Sequence, residues 1–518
     1  MPAHPASGVS TAPPVPPQAK GYRTGPSLSA RGLVLLVSAG IHLAAGFALV
    51  GLSPDRERPL PFDAVNVVPP PTYEVVAEPS PEPPTAVAEE VTEPIALPEG
   101  LPSVDTGPDP VDPATVAEAA GLGMAASPAF GSLQWNLALG DGGGAGGIGG
   151  TGGRYEGRAA GSARKTTTKP YAEAIDAGLQ WLQRHQDADG RWDCDRFMKH
   201  DDPSGPICDG GGNAMHDVGV TGLAMLAFLG DGHSARNGTY KDSIRRGAKW
   251  LREQQQTNGL FGSAAANDFI YDHAIAAYAM CEAYGLSDSP LLRDCAQKGL
   301  DYLELHRNPG ACWRYRPQGG ANDTSVTGWC LMACESGRYF GLQVPEATFT
   351  DCAKWLDTVA DPTGMHGYGS RGEMSSRKPG VHQARFPPDK TAAMTAVGLL
   401  CRYFLHQDER HSPVMRGAAE LLRQHPPQWD TRAGTIDHYY WYHATYALFQ
   451  KGGTHWNEWQ KKLDAAVVKT QHRDRSRKNL YGSWDPDCAW GEDGGRIYST
   501  AILTLTLQAH YRYTRLVR

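Results

Sequence analysis

The stretch "GLQWLQRHQDADGRW", Gly178 to Trp192, decides the fold because it comes back. It recurs as "GAKWLREQQQTNGLF" (Gly247 to Phe261), "GLDYLELHRNPGACW" (Gly299 to Trp313) and "CAKWLDTVADPTGMHGY" (Cys352 to Tyr368). Looser copies open at Gly417 and Leu463, the last closing with "YGSW" at Tyr481 to Trp484. Apolar residues at helical spacing run into a Gln and a Gly-x-aromatic turn. About six copies, spaced by about fifty to seventy residues, make this a repeat architecture.

Each copy is followed by a second helical stretch, among them "DVGVTGLAMLAFLG", "DTSVTGWCLMACESG" and "YSTAILTLTLQAHYRY". These second helices are apolar nearly all round, which predicts burial, whereas the first helices carry Arg, Lys, Glu and Gln on one side. Alternating outer and inner helices in about six pairs predict an all-α, (α/α)6 toroid over residues 169–518. No strand alternation competes with it.

The rest of the 518 residues is poor core material: 24 of the chain's 39 Pro lie before Pro170, as does the Gly-rich run from Gly140 to Gly153. A formal net charge of -7, with no basic block interleaved with aromatics, gives no support to nucleic-acid binding. "RGLVLLVSAGIHLAAGFALVGLS", Arg31 to Ser53, is nearly free of charge and has the length of about twenty residues that a membrane-crossing helix needs. Lys20, Arg23 and Arg31 precede it, so residues 1–30 are expected in the cytoplasm, with the chain after residue 53 periplasmic or otherwise extracytoplasmic, as for a single-pass inner-membrane protein. Residues 54–168, Pro/Glu-rich and then Gly-rich, cannot bury enough apolar surface to fold. The Pro/Glu part alone reaches on the order of 180 Å if extended as polyproline.

Within the span, Ser38 and His42 lie one helical turn apart on one face. This S-x-x-x-H resembles the anchor of TonB-type energy transducers, which implies a proton-channel motor complex as partner and a proton-coupling role for the two residues. Their other reading is a plain anchor with small residues at helix-packing spacing.

Ten cysteines suit an oxidising compartment. Most fall inside helical patterns. Cys194 and Cys208, in the loop "DCDRFMKHDDPSGPICDGG", form the best disulfide pair, with a zinc site using the nearby His200 or His216 as the alternative.

The first two copies match the QW motif, and the region from Tyr171 resembles the prenyltransferase and squalene-cyclase repeat superfamily, hence a toroid of the terpenoid cyclase/protein prenyltransferase type. That resemblance implies an isoprenoid or other extended ligand in a central cavity. Polar residues gather where inner helices begin, and Asp217, Asp272, His273, Asp323 and His443 are the candidate catalytic groups, although Asp and Ser there also serve as caps. Trp329, Tyr439, Tyr440, Trp441 and Tyr442 are the candidate ligand-binding aromatics. Laid on the cyclase acid motif D-x-D-D-T-A, the segment Gly320 to Ser325 places Asn322 where the proton-donating Asp belongs, and an amide is no acid. The zinc triad of the prenyltransferases is also incomplete, since Asp389 is followed by Thr391 and not by Cys, leaving Asp389 and His443 without a thiolate. Binding without catalysis, catalysis on an isoprenoid, and a glycan-processing toroid with paired carboxylates all stay open at this point.

Overall fold

The structure, a computed structural model, describes residues 169–512. The N-terminal tail, the anchor with Ser38 and His42, and the linker lie outside the described residues. The described chain is helical, with two isolated β-bridges, Gln255 to Phe261 and Ala360 to His366.

Twelve principal helices follow in order: α1 (Lys169–Arg184), α2 (Asp217–Gly230), α3 (Lys241–Gln254), α4 (Phe269–Ser287), α5 (Pro290–His306), α6 (Thr324–Tyr339), α7 (Glu346–Val359), α8 (Ala393–Phe404), α9 (Pro413–Gln424), α10 (His438–Lys451), α11 (Gly453–Ala466) and α12 (Gly491–Leu507). The even-numbered helices pack in sequence, α2 on α4, α6, α8, α10 and α12, and α12 packs back on α2. The ring is therefore closed. The odd-numbered helices lie outside it against their even-numbered neighbours, and this is the expected toroid.

Sequence pattern accounts for the two layers. In α2 every residue from Val218 to Gly230 is buried, as an all-round apolar helix requires. In α3 burial is restricted to Ser243, Ile244, Gly247, Ala248, Trp250 and Leu251, one stripe at helical spacing, while Lys, Arg and Glu face outward.

The repeated Gln joins one repeat to the next. Gln186 Nε2 donates to its own turn at Gly190 O (2.8 Å) and to Ser243 O on α3 (2.9 Å). Gln255 does the same to Gly259 O (3.1 Å) and Cys295 O on α5 (3.0 Å). Gln471 donates to Gly482 O and to Ala174 O on α1, both at 2.8 Å, and so seals the last repeat to the first. The third copy has Arg307 at this place and keeps the geometry: Nη1 reaches Ala311 O (2.9 Å) and Asp351 on α7 (3.0 Å). Copies four and five carry Ala360 and His425 there, and His425 turns back to Leu421 O (3.0 Å).

The other repeated residues serve the same joint. The turn glycines Gly190, Gly259, Gly364 and Gly482 all have φ between 94° and 106°, and the following outer helix presses its backbone against them. A Cβ on Gly190 would stand 2.2 Å from Arg246 O. At the start of three phrases the glycine is the seat of the preceding turn's aromatic ring, Trp192 on Gly247, Phe261 on Gly299 and Trp484 on Gly178. Finally, an inner-helix side chain receives the turn's backbone N–H: Thr221 from Trp192 (3.0 Å), His273 from Phe261 (3.0 Å), Thr395 from His366 (3.1 Å) and Thr500 from Trp484 (3.4 Å).

Gly190→Ala should therefore lower the unfolding free energy by about 3 kcal/mol or more, combining left-handed strain with a backbone clash. Gly310→Ala, at φ 65° with nothing within 4 Å, should lose only about 1 kcal/mol. Urea titrations of the two full-length variants check the contrast, and equal losses would contradict it.

Candidate functional site

A cavity of about 450 Å³ opens inside the ring. All six inner helices line it from their first two turns: Gly219, Val220 and Leu223 of α2; Tyr271, Asp272 and Ile275 of α4; Ser325 and Trp329 of α6; Met394 of α8; Tyr439 of α10; Gly494 and Tyr498 of α12. Asp493, in the first turn of α12, also lines it, and the connecting segments complete it with His216, Asn267, Asp268, Tyr315, Tyr368, the segment Ser375 to Lys378 and Trp490. The cavity thus lies at the positive ends of the inner-helix dipoles.

Three charged contacts meet there. His216 Nδ1 lies 3.0 Å from Asp272 Oδ2. Burial opposes a charged His216 ring, but the Asp272 carboxylate, helped by Asp268 and Asp493, outweighs it and raises the pKa to about 9. Arg377 pairs with Asp437 at 2.8 Å, both side chains being buried, and its guanidinium lies 5.1 Å from the centre of the Trp490 ring. Asp437 also caps α10 through Tyr440 N (3.0 Å) and accepts from Trp490 Nε1 (3.0 Å). Lys378 is paired with Asp493.

A chain of hydroxyls runs between cavity and wall. Tyr271 Oη meets Ser325 Oγ at 2.5 Å, Ser325 Oγ donates to Asp323 Oδ1 at 2.9 Å, and Tyr315 and Tyr368 share a hydroxyl contact at 2.5 Å. Asp323 is fully buried and caps α6 through Val326 N (2.7 Å), while its Oδ2 has no hydrogen-bond donor and lies 4.0 Å from Arg314 Nε. Burial raises its pKa to about 6 against the pull of the Val326 N–H and the Ser325 hydroxyl.

The sequence-predicted residues separate on these contacts. Asp272, Trp329 and Tyr439 line the cavity. Asp323 stands behind Ser325, and Tyr442 stacks on Trp329 with ring centres 5.6 Å apart. His443 meets Trp329 edge-on, with Nδ1 bonded to Tyr439 O (2.9 Å), and burial depresses its pKa to about 4. Asp217 serves the α1–α2 loop instead, accepting from Cys194 N (2.8 Å) and Arg191 (3.1 Å). His273 is engaged at both nitrogens, accepting from Phe261 N and donating to Gly299 O (3.1 Å), which makes it a joint in the repeat. Tyr440 points to His425 O (2.6 Å), and Trp441 packs on Trp429 and His438.

One further expectation changes. Cys194 and Cys208 are both free thiols: Cys194 Sγ donates to Asp493 O (3.3 Å), whereas Cys208 lies against Asp201 and His185, so the two are held by different partners. Asp389 is exposed on a short 3-10 turn and His443 is buried behind Trp329, and no cluster of metal-binding groups among the described residues contains either. Tyr271, Tyr315, Tyr368, Arg377, Lys378 and Trp490 escaped the sequence reading. For Tyr368, Arg377 and Lys378 the usable signal was the segment between α7 and α8, whose length exceeds what a connection needs and marks a functional loop.

No family model matches the chain, and no curated protein does. Among solved structures it is similar to a type II terpene cyclase from Scytonema, at 12% identity over 66% of this chain and 98% of that one, with a TM-score of 0.41. It is also similar to an unsaturated glucuronyl hydrolase from Bacillus sp. GL1, at 14% identity over 67% and 99% of the two chains, TM-score 0.45. A cellobiose 2-epimerase from Bacillus thermoamylovorans B4167 stands alongside, at 14% identity over 65% and 97%, TM-score 0.44. No activity passes from any of them to this chain.

The His216–Asp272 pair has a signed pH consequence. Because the folded pKa of His216 is raised from an ordinary value near 6.5, its stabilising contribution is complete below that value and is lost as pH rises through about 9. The stability advantage of the wild type over His216→Gln should be present at about pH 6 and gone above about pH 9. Melting temperatures across that range measure it, and a constant difference would show that the pair is not charged.

Proposed function

We propose that the chain is a membrane-anchored envelope protein whose extracytoplasmic toroid binds an isoprenoid or other extended amphiphilic ligand in its central cavity. The observation that carries this reading is the division of the lining. Val220, Leu223, Ile275, Trp329 and Met394 offer apolar and aromatic surface, while the ion pairs His216–Asp272 and Lys378–Asp493, with Arg377 held by Asp437, offer a polar end for a head group. A volume of about 450 Å³ lies within the roughly 300–1,000 Å³ usual for small-molecule sites. The joint roles of Gln186, Gly190 and Trp192 support taking the repeat as the QW repeat of the squalene-cyclase superfamily.

Tryptophan fluorescence and native mass spectrometry of the full chain in detergent, with geranylgeraniol and geranylgeranyl phosphate as probes, test the binding. Saturable binding of at least one probe is expected. Trp329→Ala should weaken it about tenfold or more, as for an aromatic anchor worth about 1.4 kcal/mol or more. Tyr440→Phe, whose hydroxyl faces His425, should leave it unchanged. Absence of saturable binding by either probe would remove the reading.

Catalysis is the second reading, and Asp323 favours it: a buried carboxylic acid with a pKa near 6 and one free oxygen, linked through Ser325 to the cavity-lining Tyr271. Product formation from either probe, lost in Asp323→Asn, would establish it. Mechanical coupling through the anchor is proposed on Ser38 and His42 alone. His42→Ala should abolish crosslinking of the full-length protein to a proton-channel motor complex, and normal crosslinking would leave the segment a plain anchor.

A further inference from the structure

The loop joining α1 to α2 holds a second cluster, away from the cavity. Its first member is His185, just past the end of α1. The ring is fixed by stacking on Trp181 (ring centres 4.0 Å apart) and by the edge of Phe197 (5.7 Å). Both ring nitrogens face oxygen: Nδ1 stands 2.8 Å from Trp181 O and Nε2 3.1 Å from Asp201 Oδ1. A carbonyl oxygen can only accept, so Nδ1 carries the proton. A neutral imidazole then has a bare lone pair at Nε2, aimed at a carboxylate oxygen. The two side chains are 2% and 3% exposed, so no bulk water relieves the contact.

A second proton on Nε2 or a metal cation between the two relieves it, and the third neighbour says which metal the place suits. Cys208 Sγ completes a group in which the ligand atoms of His185, Asp201 and Cys208 all lie within 4.8 Å of one another. Asp201 Oδ2 is occupied by the Cys208 backbone N–H, which leaves Oδ1 for a metal. Tetrahedral zinc places N, O and S ligands about 3.3–3.8 Å apart, so little movement closes the set. One imidazole, one carboxylate and one thiolate suit zinc and not magnesium or calcium, and the two anionic ligands neutralise its charge.

The loop's own construction is the independent observation. Between Asp201 and Asp217 every residue is exposed or half-buried except Cys208, which is drawn inward beside Ile207, itself 71% exposed. This segment also crosses the seam between first and last repeats. Asp202 N donates to Asn479 Oδ1 (2.8 Å), Asn479 Nδ2 to Pro206 O (2.9 Å), Arg496 N to Gly210 O (2.8 Å) and Asn213 N to Asp493 O (2.8 Å). It ends at His216, in the cavity wall.

We propose that His185 Nε2, Asp201 Oδ1 and Cys208 Sγ hold a zinc ion, with water as fourth ligand, clipping the Asp201–His216 loop across the ring's seam. The site is independent of the cavity's ligand and releases the Cys208 thiol proton on loading.

The test uses the full chain in detergent, stripped with chelator and reloaded with zinc or cobalt. Elemental analysis should find one tightly held zinc per chain, and cobalt should give a thiolate-to-metal charge-transfer band in the near ultraviolet. Cys208→Ser and His185→Gln should each lose the stoichiometric metal and the band, with helical circular dichroism retained. Cys194→Ser, at a buried thiol in the same loop, should keep both. If a variant does not fold, the wild type decides through the cobalt band and through zinc slowing alkylation of Cys208. A wild type with no stoichiometric metal, or metal retained in both Cys208→Ser and His185→Gln, overturns the proposal.

Discussion

The ring depends on one amide geometry. At the end of an outer helix a single NH2 group donates two hydrogens, one to the carbonyl of its own turn and one to a carbonyl on the next outer helix. Glutamine suits the place because its two N–H bonds diverge from one nitrogen at the end of a chain long enough to span the gap; a carboxylate offers acceptors where donors are needed. Each such bond contributes about 1 kcal/mol net, but its removal strands two buried carbonyls, which costs more. Arg307 supports this account, since a guanidinium also donates in two directions, and it finds Ala311 O and the Asp351 carboxylate.

Closure then fixes where chemistry can occur. With the inner helices alternating against outer ones, their N-termini all arrive at one end, and orphan N–H groups crowd there. Carboxylates are recruited to satisfy them: Asp323 takes Val326 N, and Asp437 takes Tyr440 N, Trp490 Nε1 and Arg377. These acids are engaged before any ligand arrives. The groups left facing the space are largely aromatic and hydroxylic, with charge held in the pairs His216–Asp272 and Lys378–Asp493. Acids already engaged in this way are consistent with the proposed binding role.

The fold was legible because its period is written twice, once in the Gln and Gly-x-aromatic turn and once in helices apolar all round. Part of the site was legible for the same reason: Asp272, Trp329 and Tyr439 are first-turn or second-turn residues of inner helices. His273 misled because imidazole suggests chemistry, yet its place is held by Thr221, Thr395 and Thr500 in other repeats, each accepting the same backbone N–H. Aligning the inner helices would have exposed that role. Tyr315, Tyr368, Arg377 and Trp490 lie in loops, where no period operates and long-range packing alone decides which side chain turns inward. The Cys194–Cys208 pairing failed similarly, since shared loop membership says nothing about which walls the two thiols meet.

The segment "GGANDTSVTGW" invites comparison with an acid motif that has lost its acid by one substitution, but its hydrogen bonds argue otherwise. Asn322 Oδ1 accepts from Cys312 N (3.0 Å) and from Asn308 Nδ2 (2.9 Å), and Asn308 in turn donates to Ala321 O (2.7 Å) and accepts from Gly320 N (2.8 Å). The backbone donor at Cys312 requires an oxygen at this place. An aspartate there would meet the same donors, and hydrogen bonds from N–H groups favour the ionised form. Such a carboxylate is held as an acceptor with no proton to give. The loop is therefore wired for an acceptor at 322 whatever its identity, and a proton donor at that position would need Asn308 and Cys312 rearranged as well. The acid beside it, Asp323, stands behind Ser325, with its capping oxygen engaged and its other oxygen without a hydrogen-bond donor.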